Sequence, residues 1–381
     1  MSRARWLAVI ASLAILALGV AACGSSSDDT TSGGGNTAES TESEGGGGAP
    51  SAEVSGEIAG AGSSAQQAAQ EAWIAEFSNA NSGATISYDP VGSGGGREQF
   101  ISGGVAYGGS DTPLSEEEGE LGKAIKRCAP GELIEIPNYI SPIAVIYNLP
   151  EVEELKLDPE TLAKIFNQEI ENWNDPAIAK ENPDVELPDT RIVPVNRSDE
   201  SGTTENFTDY LSEAAGKAWP HEPSGEWPVK GGEAANGTSG VVEAVSAGEG
   251  AIGYADASQA GELGIALIKV GSDYVGPSPE AAAKVLEISP EDKEAEKGKY
   301  VFAFDVDRDT ASSGTYPIIL VSSMIACSKY GSADEAALVK AYFEYVISPE
   351  GQELAAEQAG SAPLSDALRT KFMPAIEAIE G

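Results

Sequence analysis

The chain has 381 residues and a formal net charge of −38, because 61 acidic residues outnumber 23 basic ones. This charge argues against nucleic acid as a partner, since binding a phosphate backbone requires basic patches. It does not exclude a small anion, because hydrogen bonds inside a cleft can outweigh a surface field that salt screens within roughly 8–10 Å.

The N-terminus has the pattern of an export signal followed by a polar tether. Two arginines precede an apolar run over residues 7–20, which is shorter than the about 20 residues of a membrane span. Small residues lead directly into Cys23, and this step resembles the bacterial lipobox. We expect residues 1–22 to be a lipoprotein signal peptide, Cys23 to be lipidated, and the acidic Gly/Ser-rich residues 23–52 to be flexible. The alternative is an ordinary signal peptide with an incidental cysteine.

From residue 53 onward, short β-like runs alternate with helical patterns, which predicts an α/β protein long enough for two domains. Strands are predicted at residues 57–60, 85–88, 140–147, 191–195, 250–254 and 316–321. Helices are predicted at residues 65–77, 159–166, 238–247, 334–347 and 349–358. In the first of these helices, Trp73 and Phe77 share one apolar face and are expected in the core.

Three turns rich in glycine and hydroxyl side chains stand where a predicted helix begins. They read GAGSSA at residues 60–65, VGSGGGR at 91–97 and SGTT at 201–204. The first amides of a helix have no partner within it, so such turns suit a small multivalent oxyanion. One turn alone is a weak indication, since Ser is also a favoured N-cap. None matches a dinucleotide or P-loop motif.

Two charged residues accompany these turns. Arg197 brings a guanidinium to the start of the third predicted helix. Asp111, within residues 108–115, is unexpected beside an anion unless the ligand carries a proton. A carboxylate accepts a hydrogen bond from a P–OH group, whereas fully ionised sulfate offers no donor. The alternative is a turn Asp that caps its own backbone.

Besides Cys23 the chain contains two cysteines, Cys128 and Cys327. In an exported protein such a pair can form a disulfide, or the two thiols can remain free. Their positions in the sequence do not decide between these alternatives. Their spacing has no metal signature, so the sequence predicts neither a metal nor a cofactor.

Together the motifs resemble those of the phosphate-binding lipoproteins of bacterial high-affinity phosphate ABC importers. The matching segments occur in family order: GAGSS at 60–64, GSGGG at 92–96, GGSDTPLS at 108–115, ENWNDPAIAKENPDVELPDTRIVPVNRSDESGTT at 171–204 and GAIGYAD at 250–256. The resemblance implies an α/β, periplasmic-binding-protein type II-like fold of two lobes joined by a two-crossing hinge. It places lobe I at residues 53–141 plus 317–381, and lobe II at residues 142–316.

The resemblance also implies which residues bind phosphate: Ser64, Ala65, Ser93, Asp111, Arg197, Ser201, Gly202 and Thr203. In this interpretation Asp111 accepts the phosphate proton, Arg197 donates a charge-assisted bond, and Asp199 orients that guanidinium. Better-known members have Thr-Phe where this chain has Ser64 and Ala65. The hydroxyl and the backbone amide are kept, while the packing around the ligand is left open.

The expected function is an extracytoplasmic solute-binding protein, anchored to the cell membrane through Cys23, that delivers inorganic phosphate to an ABC importer permease. It is expected to be a monomer and not an enzyme. One alternative is a receptor for another oxyanion, such as sulfate or molybdate, against which Asp111 argues. The other is a secreted phosphatase or hydrolase. His221 is the single histidine, and no Gly-x-Ser-x-Gly elbow is present, which disfavours this alternative.

Overall fold

The structure is a computed structural model that describes residues 54–116 and 118–381. The expected signal peptide of residues 1–22, the lipidation site Cys23 and the tether of residues 23–52 lie outside the described residues. Among the residues that are described, no helix has the length and apolar character needed to cross a membrane.

The described residues form eleven α-helices and thirteen strands. The helices are α1 Gln67–Ala80, α2 Ser93–Ser102, α3 Glu120–Cys128, α4 Pro159–Phe166, α5 Pro176–Glu181, α6 Gly202–Ala215, α7 Gly237–Ala247, α8 Pro279–Ile288, α9 Ala333–Ile347, α10 Pro349–Ala359 and α11 Asp366–Glu377. The strands are β1 Gly56–Gly62, β2 Ala84–Asp89, β3 Tyr107–Ser110, β4 Leu133–Tyr147, β5 Lys156–Leu157, β6 Val193–Arg197, β7 Glu233–Ala235, β8 Ala251–Asp256, β9 Gly264–Ile265, β10 Leu267–Val270, β11 Asp273–Val275, β12 Tyr300–Val301 and β13 Ile319–Cys327.

The main sheet has the strand order β2-β1-β3-β13-β4-β8-β6-β7, with β9 and β12 also paired to β4. Strands β1, β2 and β3 are parallel to one another, and so are β6, β7 and β8. Strand β13 is antiparallel to both of its neighbours, β3 and β4. A small second sheet has the order β11-β10-β5. The predicted α/β class is therefore confirmed.

Strand β4 belongs to both halves of the main sheet. Its residues 133–142 pair with β13, and its residues 143–147 pair with β8. All fifteen of its residues are buried. We call the part with β1–β3, β13 and residues 133–142 the first lobe, and the part with residues 143–147 and β6–β8 the second lobe.

The parallel strands of each lobe end toward loops that lead into helices. In the first lobe, β1 leads to α1 and β2 leads to α2, and both connections carry the glycine-rich turns. In the second lobe, β6 leads to α6 and β7 leads to α7. Ligands of open α/β sheets bind beyond the carboxyl ends of such strands, so these loops are where a site is expected.

Several predicted elements match the structure closely. Helix α4 begins at Pro159 because Asp158 accepts the Thr161 amide at 2.7 Å and proline suits the first helical position. Trp73 and Phe77 are buried as predicted. Phe77 packs edge-on against Tyr342, with ring centroids 5.5 Å apart.

Several strands differ from the sequence-based expectation, since β3, β5, β7 and β9–β12 were not predicted and β4 begins earlier than expected. Strand β4 begins at Leu133, seven residues before the predicted start, because the apolar run is interrupted by polar residues that the fold buries. Strand β3 was not predicted, since two of its four residues are glycine. It forms because Tyr107 packs over Gly60 of β1, where a Cβ atom would lie 2.1 Å from the Tyr107 ring.

Candidate functional site

The loops at the carboxyl ends of the parallel strands of both lobes meet in one buried cluster of polar groups. Residues from the first lobe are Ser63, Ser64, Ala65, Ser93 and Asp111. Residues from the second lobe are Arg197, Asp199, Ser201, Gly202, Thr203, Gly237 and Thr238. All eight of the predicted binding residues are buried, and Asp199 is half-buried.

Asp111 lies at the centre of this cluster. Its Oδ2 atom accepts a hydrogen bond from the Thr203 hydroxyl at 3.1 Å, and its Oδ1 atom accepts one from the Ser322 hydroxyl at 2.6 Å. The Asp111 amide donates to Ser93 Oγ at 3.1 Å, which fixes the start of α2 against the end of β3. The carboxylate is therefore surrounded by hydroxyl donors, and it is only 4% exposed.

Arg197 stands at the end of β6 and is held by Asp199. Its Nε atom donates to Asp199 Oδ1 at 2.8 Å, and its Nη2 atom donates to Oδ2. The Gly237 amide also donates to Asp199 Oδ1, at 3.0 Å. Burial alone would raise the pKa of Asp199, but the guanidinium and this amide hold that pKa below its ordinary value. These contacts let Asp199 orient the guanidinium, which is the supporting role predicted for it.

The start of α6 brings hydroxyls and amides from the second lobe. Ser201 is the N-cap, and its Oγ accepts the Thr204 amide at 3.2 Å. Gly202 lies directly against the first lobe, since a Cβ atom there would be 2.6 Å from Ser93 Oγ and 2.7 Å from Asp111 Cβ. Only glycine allows this close approach. The two lobes therefore touch across the site.

The start of α1 contacts the start of α7. Ser64 Oγ lies 2.9 Å from Thr238 Oγ1, and it accepts the Thr238 amide at 3.1 Å. The Ala65 amide donates to Ser63 Oγ at 3.1 Å. Ser64 therefore lies in the cluster together with the second lobe, whereas the Ala65 amide is engaged locally.

Sequence reasoning missed Thr238 and Ser322. The segment NGTSG at residues 236–240 has the same glycine and hydroxyl pattern before a helix as the three turns singled out, so Thr238 could have been found from it. Ser322 lies next to Ser323 inside β13, whose other residues are apolar. Its role depends on the pairing of β13 with β3, which carries no local sequence signal.

A second arginine, Arg97 on α2, lies close to this cluster and was not assigned a role from the sequence. It forms ion pairs with Glu120 at 2.9 Å and Glu200 at 3.0 Å. Its Nη1 atom also donates to the hydroxyls of Ser110 and Thr112, both at 3.0 Å. Burial raises the pKa of Glu200 even though Arg97 opposes that shift. Arg97 thus uses its donors within the protein, which leaves Arg197 as the better candidate to bind an anion.

A cavity of about 250 Å³ adjoins Asp111. Its lining includes Arg308 and, besides Asp111, four more carboxylates: Glu205, Asp209, Asp292 and Asp305. An anion is disfavoured among so many carboxylates, so the hydroxyl and amide cluster is the better oxyanion site. Among the described residues, no group of three or more His, Cys, Asp or Glu is arranged to hold a metal ion.

The single histidine does not support hydrolytic chemistry. The His221 ring packs edge-on against Trp219, with centroids 4.9 Å apart, and its Nε2 atom lies 3.3 Å from Asn167 Oδ1. None of its hydrogen bonds within the described residues reaches a serine. The cluster offers hydroxyls, amides, one guanidinium and one carboxylate, which is a set suited to binding rather than to nucleophilic attack.

Cys128 at the end of α3 and Cys327 at the end of β13 form a disulfide. They are 199 residues apart in the sequence. The bond ties α3 to β13 of the main sheet and lies outside the polar cluster.

Comparisons with known proteins found a matching family model and similar phosphate-binding proteins. A family model described as a PBP superfamily domain matches residues 47–350. The phosphate-binding protein PstS2 of Mycobacterium bovis is 35% identical over 333 residues, covering 85% of this chain and 87% of the relative. The phosphate-binding protein PstS3 of the same organism is 36% identical over 330 residues, covering 84% and 85%.

Solved structures share the fold. A high-affinity periplasmic phosphate-binding protein bound with phosphate superimposes with a TM-score of 0.67 at 21% identity, covering 84% of this chain and 93% of the other. A phosphate-binding protein from Stenotrophomonas maltophilia gives a TM-score of 0.65 at 18% identity, covering 84% and 93%. At this level of identity the match shows the two-lobed fold alone.

Proposed function

Because this chain belongs to the PBP superfamily and, within it, to the PstS-type phosphate-binding proteins, we propose that it captures inorganic phosphate between its lobes and delivers it to the permease of a phosphate ABC importer. It acts as an extracytoplasmic binding protein and not as an enzyme. The observation that supports the proposal is a buried carboxylate in the cluster of hydroxyls and amides, where Asp111 accepts hydrogen bonds from Thr203 and Ser322.

The proposed ligand contacts are donors of the polar cluster that contains Asp111. Arg197 donates from its Nη1 atom, which forms no hydrogen bond with the described residues, while Asp199 holds the rest of the guanidinium. Hydroxyls of Ser64, Ser93, Ser201 and Thr203 and the amides of Ala65 and Gly202 complete the proposed set. Binding at the Ala65 amide requires it to leave or share its bond to Ser63.

Asp111 accounts for the proposed choice of phosphate over sulfate. At neutral pH phosphate retains a proton that can be donated to a carboxylate, and sulfate does not. An ionised carboxylate facing sulfate is left with an unpaired charge next to the ligand, which costs affinity. Sulfate and molybdate receptors remain the competing function for this site.

Calorimetric titration of the purified protein with phosphate, sulfate and molybdate tests the proposal. We expect phosphate to bind at micromolar or lower concentration and sulfate to bind at least a hundredfold more weakly. Asp111→Asn should reduce the difference between the phosphate and sulfate affinities. Asp89→Asn, at the exposed end of β2, should leave that difference unchanged. Sulfate binding as tight as phosphate binding in the unaltered protein would refute the role of Asp111.

We propose that the lobes open and close about two chain crossings, with lobe I at residues 53–141 plus 317–381 and lobe II at residues 142–316. In support, β4 changes partner from β13 to β8 between Pro142 and Ile143, and the Ile143 amide donates to the Ile318 carbonyl at 2.7 Å. Two adjacent crossings allow a hinge rotation of one lobe against the other.

We also propose that the protein is held at the cell membrane by a lipid on Cys23. This proposal rests on the sequence pattern of residues 1–22 and the polar residues 23–52. Fractionation of cells that express Cys23→Ser tests it, since the variant should leave the membrane fraction. Retention of the variant in that fraction would contradict the lipid anchor.

A further inference from the structure

A row of buried polar side chains runs through the core of the first lobe and ends at Asp111. It comprises Tyr342, Gln70, Gln66 and Ser322, with Tyr107 joining at Gln70. All of these side chains are fully or nearly fully buried. The row lies behind Asp111, and none of its members belongs to the ligand contacts proposed above.

Each hydrogen bond in the row has a defined direction, which the carboxylate fixes. An ionised carboxylate only accepts, so the Ser322 hydroxyl donates to Asp111 Oδ1 at 2.6 Å. The Ser110 carbonyl, at 3.2 Å, is the more distant acceptor. With its hydrogen used in this way, Ser322 Oγ accepts from Gln66 Nε2 at 2.6 Å.

The same direction continues into the core. Gln66 Oε1 then faces donors, accepting from Gln70 Nε2 at 2.9 Å and from Asn138 Nδ2 at 3.1 Å. Gln70 Oε1 accepts from the hydroxyls of Tyr342 at 2.8 Å and Tyr107 at 3.3 Å. Burial raises the pKa of both tyrosines, so their hydroxyls keep the protons that they donate. Every bond in the row therefore points toward Asp111.

The row has no charged member, and no Lys or Arg among the described residues forms an ion pair with Asp111. Packing apolar side chains would be the simpler way to fill this core, because a buried polar network is costly unless all its members are satisfied. What the row provides is a set of aligned donors behind one oxygen of Asp111. The other oxygen, Oδ2, accepts from Thr203 across the cleft.

We propose that Ser322 and Gln66 are positioning residues that determine anion specificity, holding Asp111 as a pure hydrogen-bond acceptor so that the site takes only an oxyanion that brings its own proton. This inference rests on the proposed phosphate-binding function. Ser322 orients the carboxylate, because its hydroxyl donates to one of the two Asp111 oxygens. Gln66 keeps the Ser322 hydroxyl directed at Asp111, because the Gln66 side-chain amide donates to the Ser322 oxygen.

The test compares phosphate and sulfate affinities, by calorimetry at neutral pH, in the full protein and in Ser322→Ala, Ser322→Thr, Gln66→Met and Ser328→Ala. Ser322→Ala should weaken phosphate binding roughly tenfold or more, because a hydrogen bond to a charged group is lost, while sulfate binding holds or improves. The phosphate-to-sulfate affinity ratio therefore falls. Ser322→Thr keeps the hydroxyl and should restore the ratio.

Two variants separate this role from a purely structural one. Gln66→Met removes the amide but leaves Ser322 in place, so the affinity ratio should fall by a smaller factor in the same direction. Ser328→Ala removes a buried hydroxyl just beyond β13, where it accepts the Glu132 amide at 2.7 Å. It should lower the melting temperature without changing the ratio.

Equal losses of phosphate and sulfate affinity in Ser322→Ala, or an unchanged ratio, would overturn the inference. If Ser322→Ala does not fold, Gln66→Met decides by the same criterion. The outcome is distinct from a failure of the proposed function, which would appear as absent or unselective phosphate binding in the unaltered protein.

Discussion

Arg197 is held so that part of its guanidinium remains available. Asp199 engages Nε and Nη2, and the Gly237 amide in turn fixes Asp199. A planar fork fixed on one side presents its remaining donors in a constant direction, which a lysine ammonium cannot do. The geometry therefore favours a bidentate or strongly oriented contact with an oxyanion.

Arg197→Lys should retain the charge and lose this orientation. We expect phosphate affinity to fall at least tenfold, because both the paired bond to Asp199 and the oriented donor are lost. Calorimetry measures the change, with Arg191→Lys at an exposed position as the matched control. An affinity within twofold of the unaltered protein would remove Arg197 from the ligand shell.

Glu135 of β4 is a buried carboxyl with an incomplete set of partners. Its Oε1 atom accepts the Leu114 amide at 3.3 Å, and its Oε2 atom has no partner in the described residues. Burial raises the pKa of Glu135 to about 8, outweighing the opposing effects of the Leu114 amide and of Arg97. The folded protein thus keeps a proton that the unfolded chain releases near pH 4.5.

This proton makes folding depend on pH. The stabilisation is complete below about pH 4.5 and is lost as the pH rises toward 8, because the unfolded chain then binds fewer protons than the folded one. Glu135→Gln should reduce the pH dependence of the unfolding free energy. It should also raise that free energy at pH 8 by on the order of 2–4 kcal/mol. Urea unfolding between pH 5 and 9 measures it, with exposed Glu132→Gln as control. Parallel stability profiles for Glu135→Gln and the unaltered protein would exclude this account.

At the scale of elements, helix α2 of the first lobe contacts the loop before α6 of the second lobe. Arg97 on α2 bonds Glu120 of α3 within its own lobe and Glu200 across the cleft. The pair to Glu200 exists only while the lobes touch, since Glu200 lies between β6 and α6. It therefore stabilises the closed arrangement of the proposed hinge.

Glu200→Gln should weaken this closed arrangement, and Glu120→Gln should not. We expect phosphate affinity to drop about two- to fivefold in Glu200→Gln, because the pair is partly exposed and a less populated closed state lowers the apparent affinity in proportion. Calorimetry gives the affinity, and small-angle scattering of the ligand-free variant should show a larger radius of gyration. Identical scattering from both variants would speak against a closing role for Arg97.

Elements with local signals were the ones the sequence could predict. Helix α4 carries its own cap and proline, and α1 carries an apolar face, so both were found. Strand β3 depends on Tyr107 packing over Gly60, a contact between distant residues, and it was missed. The site followed the same rule. The helix-start turns were recognisable in the sequence, while Ser322 enters only because β13 lies beside β3.

At the scale of the whole molecule, the disulfide closes a very long loop. It joins residues separated by 199 positions and anchors α3 to the central strand β13. A crosslink stabilises a fold mainly by restricting the unfolded chain, and longer loops gain more. The whole second lobe lies inside this loop in sequence, so the bond restricts the unfolded chain of both lobes.

Replacing both cysteines, Cys128→Ser with Cys327→Ser, should lower the melting temperature clearly. The chain-entropy model gives an upper figure of about 5 kcal/mol for a loop of this length. Phosphate affinity should stay within twofold, because the bond lies outside the polar cluster. Calorimetric scans with and without phosphate measure both effects. A melting temperature unchanged in the double variant would mean that the crosslink restricts little.

The position of β13 has a consequence for the order in which the protein can be completed. This strand lies between β3 and β4 in the sheet, yet it begins about 210 residues after the end of β3 and about 170 residues after the end of β4. A nascent polypeptide that has left the ribosome only as far as residue 318 lacks the strand that joins those neighbours, so its first lobe remains an unfinished sheet. The first lobe can therefore complete its sheet only after most of the chain has been synthesised, which places this step late in the folding of the protein.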